Sequence, residues 1–321
     1  MTPQASIVSV IIVTYNSASL IMAAIRSVER AAKHAGVAVE MIVVDNDSPD
    51  DTVDVIRSHR PEIRLVCNEI NVGFGRANNQ AFQLATGDVW LLLNPDAVLD
   101  DDALSPLLRF LAERPAVGAV APVIESPWDG GPESGGMTPC IRSMAGHFLF
   151  VNRLLPDDRG GPWRGVMLQR RRHLGPRRVE WLSGTVLLLR PEAVRSVGGF
   201  DSRFFLYSED VDLGTRLCGA GWELWTTPDA RARHVGAGSQ GGVSIRWVDA
   251  AHEHFAGRAK PSVLFLHDLI LATGMTVRAL VWSVASGSSR DRTRARIVRS
   301  SAWRAWQVAF GVFSMDREQA R

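Results

Sequence analysis

Cysteine is scarce and scattered in this chain: Cys67, Cys140 and Cys218 are odd in number and form no CxxC pair. That pattern excludes a disulfide framework and a structural zinc site, and it fits a reducing cytosol. A secretory leader is not expected either. Met1-Thr2-Pro3-Gln4-Ala5 carries no basic stretch, and the apolar run behind it, Ile7 to Val13, is the length of a strand. Long uncharged apolar runs are lacking as well. The most apolar later stretch, Val263 to Ala285, is interrupted by His267, Asp268 and Arg278, short of the ~18 uncharged residues of a spanning helix, so a peripheral location is expected. With 36 basic and 34 acidic residues, a net +2, no charge excess argues for nucleic acid. The glycine pair Gly73 and Gly75 lacks the third glycine, at Asn78, of a GxGxxG fingerprint, and GxxxxGK[ST] does not occur, which argues against a Rossmann dinucleotide site there and against a P-loop NTPase. Internal repeats and heptad arrays are absent too.

What is present is a core: 46% of 321 residues are hydrophobic, enough for one domain plus an appendage. Ile7 to Val13 reads as a strand covered on both faces, followed by a helix from Leu20 to Ala35 that Asn16 or Ser17 can cap. Strand Val39 to Val44, a short helix through Val53 and Ile56, strand Ile63 to Val66 and a helix from about Arg76 to Leu84 follow. Strand Val89 to Leu93, helix Asp102 to Leu111 and strand Val117 to Ala121 continue the alternation, which predicts an α/β fold with a mostly parallel central sheet flanked by helices. In such sheets ligands bind beyond the carboxyl ends of the strands, where the turns at Thr14-Tyr15, Asp45 and Asn94-Pro95-Asp96 fall.

Residues 125–178 are irregular and rich in Gly, Pro and Arg, with six arginines and no acid from Arg164 to Arg178, and read as either disordered or a lid. Order returns with a strand over Val179 to Leu189, interrupted at Ser183-Gly184, a helix from Pro191, another from Asp212 to Gly219 and a strand from Trp222 to Thr226. From Ser286 onward eight arginines face three acids, and Val298, Ala302, Ala305, Trp306, Ala309, Phe310 and Phe313 share one helical face, which suggests a membrane-surface helix. The expected division is a domain over residues 1–255 and a C-terminal amphipathic, membrane-associating region over 256–321.

Five places can carry chemistry. Asp96, exposed at a strand end after Pro95, suits a hard divalent cation that also bridges phosphates; alone it reads equally as a turn residue. Asp45 can accept from a ribose or base, or simply terminate its strand among Asp47, Ser48, Asp50 and Asp51. Gly73, Gly75 and Arg76 open a helix whose free amides and guanidinium can hold a diphosphate, or else form a plain glycine turn. Glu209 and Asp210 are neighbours, so mutual repulsion can raise one pKa and create a base near neutrality, though acids at a helix start also suit the dipole. His234 follows the last strand and can serve as a neutral imidazole ligand or as an ordinary surface histidine.

Taken together, Val10-Ile11-Ile12-Val13-Thr14-Tyr15-Asn16, Val43-Val44-Asp45-Asn46-Asp47-Ser48, Asn71-Val72-Gly73-Phe74-Gly75, Asn94-Pro95-Asp96 and Gly199-Phe200-Asp201 to Leu213 resemble the inverting family 2 glycosyltransferases of the GT-A fold, over about residues 7 to 240. Within that family the chain most resembles bacterial rhamnosyltransferases that extend lipid-linked or polysaccharide acceptors. The resemblance implies a nucleotide-sugar donor, with Thr14, Tyr15 and Asp45 holding the nucleoside, Asn16 and Asn94 completing the donor site and Arg76 near the diphosphate. It implies a divalent metal, Mg or Mn, on Asp96 with His234 assisting, Asp210 as the base for the acceptor hydroxyl, and Glu209 orienting that acceptor. Asn94 stands where an Asp-X-Asp metal motif has its first aspartate. The implied setting is cytoplasmic and peripheral at the inner face of the cell membrane, with a glycan acceptor, an anionic membrane surface and no nucleic acid as partners. A UDP- or GDP-sugar donor, or a non-catalytic nucleotide-sugar or glycan-binding role, are the competing expectations.

Overall fold

Strand β1 (Ile7–Thr14) can be a continuous β-branched run because both of its faces are covered. Val8, Val10 and Ile12 enter one core with Ile21, Ile25 and Val28, while Ile11 and Val13 enter a second core with Ala77, Ala81 and Phe82. The alternation is the period of two expected of a strand buried on both sides. In this computed structural model the described residues are 7–125, 134–151, 166, 175–234, 246–285 and 289–311. The arginine-rich stretch from 164 lies outside them up to Arg172, as does Phe313.

The remaining strands are β2 (Ala38–Asp45), β3 (Arg64–Cys67), β4 (Val89–Leu93), β5 (Ala97–Leu99), β6 (Val117–Glu125), β7 (Gly135–Gly136), β8 (Arg177–Val179), β9 (Trp181–Leu182), β10 (Val186–Leu189) and β11 (Glu223–His234). Nine of them form one sheet in the order β3-β2-β1-β4-β10-β6-β11-β5, with β8 also on β11, while β7 and β9 pair separately. The pairs among β3, β2, β1 and β4 are parallel, as is β6 with β11; β10, β5 and β8 run against their neighbours.

Helices α1 (Ile21–Ala35), α2 (Thr52–His59), α3 (Phe74–Phe82) and α4 (Leu104–Glu113) lie between the early strands. α1 stops at Gly36, whose φ of 68° closes the left-handed cap that Gly tolerates. Its start differs from the expectation: neither Asn16 nor Ser17 caps it by a side chain, because Asn16 sits at φ 52° and the Ser17 hydroxyl turns back to the Tyr15 carbonyl. The Ser17 carbonyl instead receives the amides of Leu20 and Ile21. The expected strand over 179–189 is three pieces, and α6 (Pro191–Ser196) and α7 (Glu209–Gly219) follow it. α7 begins three residues before the expected Asp212, so both acids lie in its first turn. β11 runs eight residues past Thr226, where a bulge between Thr227 and Arg231 lets it continue along β6 and then pair with β5.

Two compact units result. The first takes its described residues from Met1–Gly136, Leu168–Phe205 and Glu209–Gln240 and holds the sheet. The second takes them from Met137–Met167, Leu206–Ser208 and Gly241–Arg321. Within it, α5 (Ile141–Phe148), α8 (Arg246–Ala256), α9 (Pro261–Ala285) and α10 (Ser289–Ala309) enclose a core of Met144, Phe148, Val248, Phe255, Leu271, Met275, Ala302 and Ala305. The stripe expected to face a membrane is largely internal: Ala302, Ala305 and Ala309 are buried, and Val298 and Trp306 pack on this core. The polar interruptions of α9 also point inward. Asp268 accepts from His252 (2.9 Å) and His267 (2.8 Å), and Arg278 donates to the carbonyls of His147 and Phe148. By length and composition Pro261–Ser283 could cross a membrane, and 39% of its most apolar window is buried inside the protein.

Candidate active site

At the carboxyl edge of the first unit, β1 and β2 end in register, Thr14 opposite Asp45. The Thr14 hydroxyl donates to Asp45 Oδ1 at 2.7 Å, and the Ser48 hydroxyl donates to the same oxygen at 2.6 Å. The Ser48 amide donates to Asp45 Oδ2 at 2.9 Å, and Ser48 Oγ in turn accepts from the Asn16 amide. Asp45 is thus a buried strut fixed on one side, with Oδ2 keeping acceptor capacity. Tyr15 stands beside it with 44% of its surface exposed, a flat ring at the rim of the polar turn. Asn46 extends the network to the Gly73 carbonyl and, through Asn68, to Gln80. Asn46 and Ser48 fall in the polar cluster after β2 but carry no role in the sequence reading, and Asn68, just after β3, has no sequence signal of its own.

The glycines before α3 have a different task from a free phosphate cradle. A Cβ on Gly73, which sits at φ 87°, would lie 2.4 Å from the Phe205 carbonyl oxygen, and one on Gly75 would lie 3.0 Å from Phe200 Cβ. The Phe74 amide donates to that same Phe205 carbonyl at 3.0 Å. The loop is therefore seated against the chain leading to α7. Arg76 is exposed, with its Nε donating to the Ser202 carbonyl at 3.1 Å.

β4 ends at Asn94-Pro95-Asp96, and the antiparallel pairing of β5 with β11 sets His234 opposite Ala97. His234 Nε2 consequently lies 3.2 Å from Asp96 Oδ2, with both side chains mostly shielded. These two were chosen from positions far apart in sequence, and the sheet brings them together. Among the described residues no set of three His, Cys, Asp or Glu converges as a metal cage. A carboxylate and an imidazole fit a divalent cation that draws its other ligands from phosphate and water.

Glu209 and Asp210 open α7 directly after Tyr207 and Ser208, two non-glycine residues at φ 71° and 65°. Consecutive left-handed residues are costly, and such strain clusters where side chains must be aimed. Glu209 is buried, and its Oε2 has no hydrogen-bond partner. Burial and then the neighbouring Asp210 charge push its pKa up to about 8. Asp210 is half-buried above a small recess lined by Leu182, Leu187, Leu213 and Leu224. Burial raises it to about 6, opposed by hydrogen bonds from the backbone amides of Val211 and Gly184. Both carboxyls are thus raised toward neutrality, Glu209 further than Asp210, which suits a pair that exchanges a proton near neutral pH.

Gly184 links the two acidic regions. It lies in the turn between β9 and β10, where the Thr185 carbonyl accepts from the Asn94 amide at 2.8 Å and Ser183 Oγ lies 2.9 Å from Thr185 Oγ1. One short turn thus touches the Asn94-Pro95-Asp96 turn on one side and Asp210 on the other. In the sequence Ser183-Gly184 reads only as an interruption, the usual sign of close backbone approach.

Residues 9–175 match the family described as Glycosyl transferase family 2. The chain belongs to glycosyltransferase family 2. As a family 2 glycosyltransferase it is similar to the N-acetylglucosaminyl-diphospho-decaprenol L-rhamnosyltransferase of Mycobacterium tuberculosis, at 33% identity over 246 residues, 72% of this chain and 75% of that protein. Its fold is the GT-A fold of the mannosyltransferase PcManGT from Pyrobaculum calidifontis, solved with GDP-Man and Mn²⁺, at a TM-score of 0.60 and 21% identity over 96% of this chain and 87% of that one. GalNAc-T7, solved with UDP, GalNAc and Mn²⁺, matches at a TM-score of 0.56 and 16% identity over 98% of this chain and 59% of its own.

Proposed function

We propose that this glycosyltransferase moves L-rhamnose from dTDP-rhamnose to a hydroxyl of a lipid-linked or polysaccharide acceptor in cell-envelope glycan synthesis. The reaction type is carried by the Glu209–Asp210 pair, two adjacent carboxylates in the first turn of α7 whose burial raises both pKa values. The choice of rhamnose and of a lipid-linked acceptor is supported by the mycobacterial relative.

In this reading Thr14, Tyr15, Asn16 and Asp45 bind the nucleoside, Asn94 completes the donor site and Arg76 reaches toward the diphosphate. Asp96 and His234 would hold a divalent cation, Mg or Mn, which when bound supplies charge neutralisation to the departing diphosphate. Asp210 takes the proton of the acceptor hydroxyl as that oxygen bonds to the anomeric carbon. The bond to the nucleotide diphosphate breaks on the opposite face, so a single displacement inverts the centre. Glu209, protonated, orients the acceptor by donating a hydrogen bond. We assign catalysis to residues 1–255 and place the enzyme in the cytoplasm, peripheral at the inner face of the cell membrane through residues 256–321.

A donor panel tests this reading. Thermal stabilisation by dTDP, but not UDP or GDP, and dependent on Mg²⁺ or Mn²⁺, is expected, because a ligand bound only by the native state raises its stability. Stabilisation by UDP or GDP instead overturns the donor. Wild-type turnover in a folded Asp210→Asn protein overturns the base.

A further inference from the structure

The face that α9 and α10 turn to solvent differs from the stripe read in the sequence. Along α9, Leu266, Leu269, Thr273, Val277 and Leu280 recur at helical spacing; Leu266, Val277 and Leu280 are exposed, Leu280 at 64%, with Phe265 and Val281 flanking them. Along α10, Arg296, Arg299 and Trp303 share one face, continued by Phe310 just past its end; both arginines are exposed, Trp303 is 69% exposed and Phe310 66%.

The two rows lie on the same side of the second unit. Three residues separate the helices in sequence, so they pack as an antiparallel hairpin. Trp306 Nε1 donates to Thr276 Oγ1 at 3.0 Å, which fixes the edge by which each helix meets the other. The opposite flank of α10 is held to α8 by Arg304–Asp249 and Trp247–Ser301, and that of α9 to α5 by Arg278 on Phe148. Turning from the shared edge in the right-handed sense of each helix, an antiparallel pair carries both exposed rows outward together.

We infer that this α9–α10 face docks on the surface of a bilayer containing anionic phospholipids. The apolar row suits the acyl boundary and Trp303 the headgroup level. Arg296 and Arg299 are exposed along the row that carries Trp303, so its charge complements an anionic surface rather than a second copy of the same cationic face. The helices lie along the bilayer rather than across it, because His267, Asp268 and Arg278 are committed to partners inside the unit. This inference rests on the proposed peripheral placement through residues 256–321 and adds to it the docking face and the lipid charge; its evidence is the exposed rows.

Flotation of the full chain with vesicles tests it. Binding to phosphatidylcholine vesicles with about one-third phosphatidylglycerol is expected, with far less to phosphatidylcholine alone. Arg296→Gln with Arg299→Gln should weaken it about 30-fold, taking the usual surface contribution of each basic residue. Leu280→Asp with Trp303→Ser should abolish flotation while near-ultraviolet circular dichroism and transfer to a short water-soluble acceptor stay unchanged. No flotation of the wild type, flotation indifferent to all four substitutions, or a stable dimer that these substitutions dissolve would overturn the inference. Transfer to the soluble acceptor is read separately, so loss of membrane binding with intact transfer leaves the enzymatic reading standing, and loss of transfer in the wild type strikes that reading alone.

Discussion

Gly184→Ala is the sharpest test of how Asp210, the proposed base, is aimed. Gly184 has no need of a left-handed φ, so alanine fits its backbone, but the added Cβ would lie 3.0 and 3.1 Å from Cε1 and Cζ of Phe74. Carbon atoms settle about 3.5–4.0 Å apart, so the turn or the ring must move by roughly half an ångström or more. Phe74 is held by its amide bond to Phe205 and by an edge contact with Phe200 at 5.8 Å, so the turn gives way. The Gly184 amide then leaves the Asp210 carboxylate, whose ionised form it favours. A hydrogen bond to a charged group contributes about 1.5–3 kcal/mol, which corresponds to about one to two pH units in the base. Misplacement on this scale costs about 10- to 100-fold in kcat. Steady-state assays across pH should show kcat down by that factor, KM for the donor little changed, and the acidic limb displaced upward from about pH 6. Phe74→Leu, which removes the two obstructing atoms, should restore most of the loss in the double variant. Wild-type kcat with an unmoved limb, or no rescue in a folded double variant, refutes the reasoning.

Further expectations are simpler. Asp210→Asn should lower kcat by about 10²-fold or more with donor-induced thermal stabilisation intact, since general-base catalysis contributes on that order; equal loss of donor binding would point to a donor-site role. The folded-state pKa of Glu209, about 8, lies above its ordinary 4.5, so its contribution to stability is full below pH 4.5 and lost as pH rises toward 8. Glu209→Gln should therefore melt with the wild type at low pH and about 10 °C or more above it at pH 9, measured by calorimetry. Asp268→Asn should destabilise the second unit by about 3 kcal/mol, because it removes the buried negative charge and turns one of the two oxygens that accept from His252 and His267 into a donor. Asp268 is buried, which raises its pKa, but the bonds from the two histidines hold it below its ordinary value, while the bond to Asp268 raises His252. The stabilisation is thus lost as pH falls through the acid range and again as it rises through the raised His252 pKa, so the melting difference between wild type and variant should peak between those limits.

Much of the first unit was legible because its information is local. A doubly covered strand must be apolar throughout, so β1, β2 and β4 announce themselves, and their polar turns mark the edge where Thr14, Asp45 and Asp96 stand. The spacing of acidic and glycine-rich motifs carried the family as well. Residues whose placement depends on pairing across the chain were chosen by type or missed. His234 meets Asp96 only because β11 continues past its bulge to pair with β5, and Gly184 matters only because its turn lies between Asn94 and Asp210.

Helix α10 shows the boundary most clearly. Its sequence determined that it is helical, amphipathic and basic, but a periodicity gives a direction relative to the helix axis, not to its neighbours. Small and aromatic residues at Ala302, Ala305 and Trp306 serve a helix–helix contact as readily as a membrane, and only the presence of α9 decided which. The same holds for the acids at 209 and 210. Sequence placed them side by side, whereas burial, a property of the whole fold, raised the pKa of both, Glu209 further than Asp210.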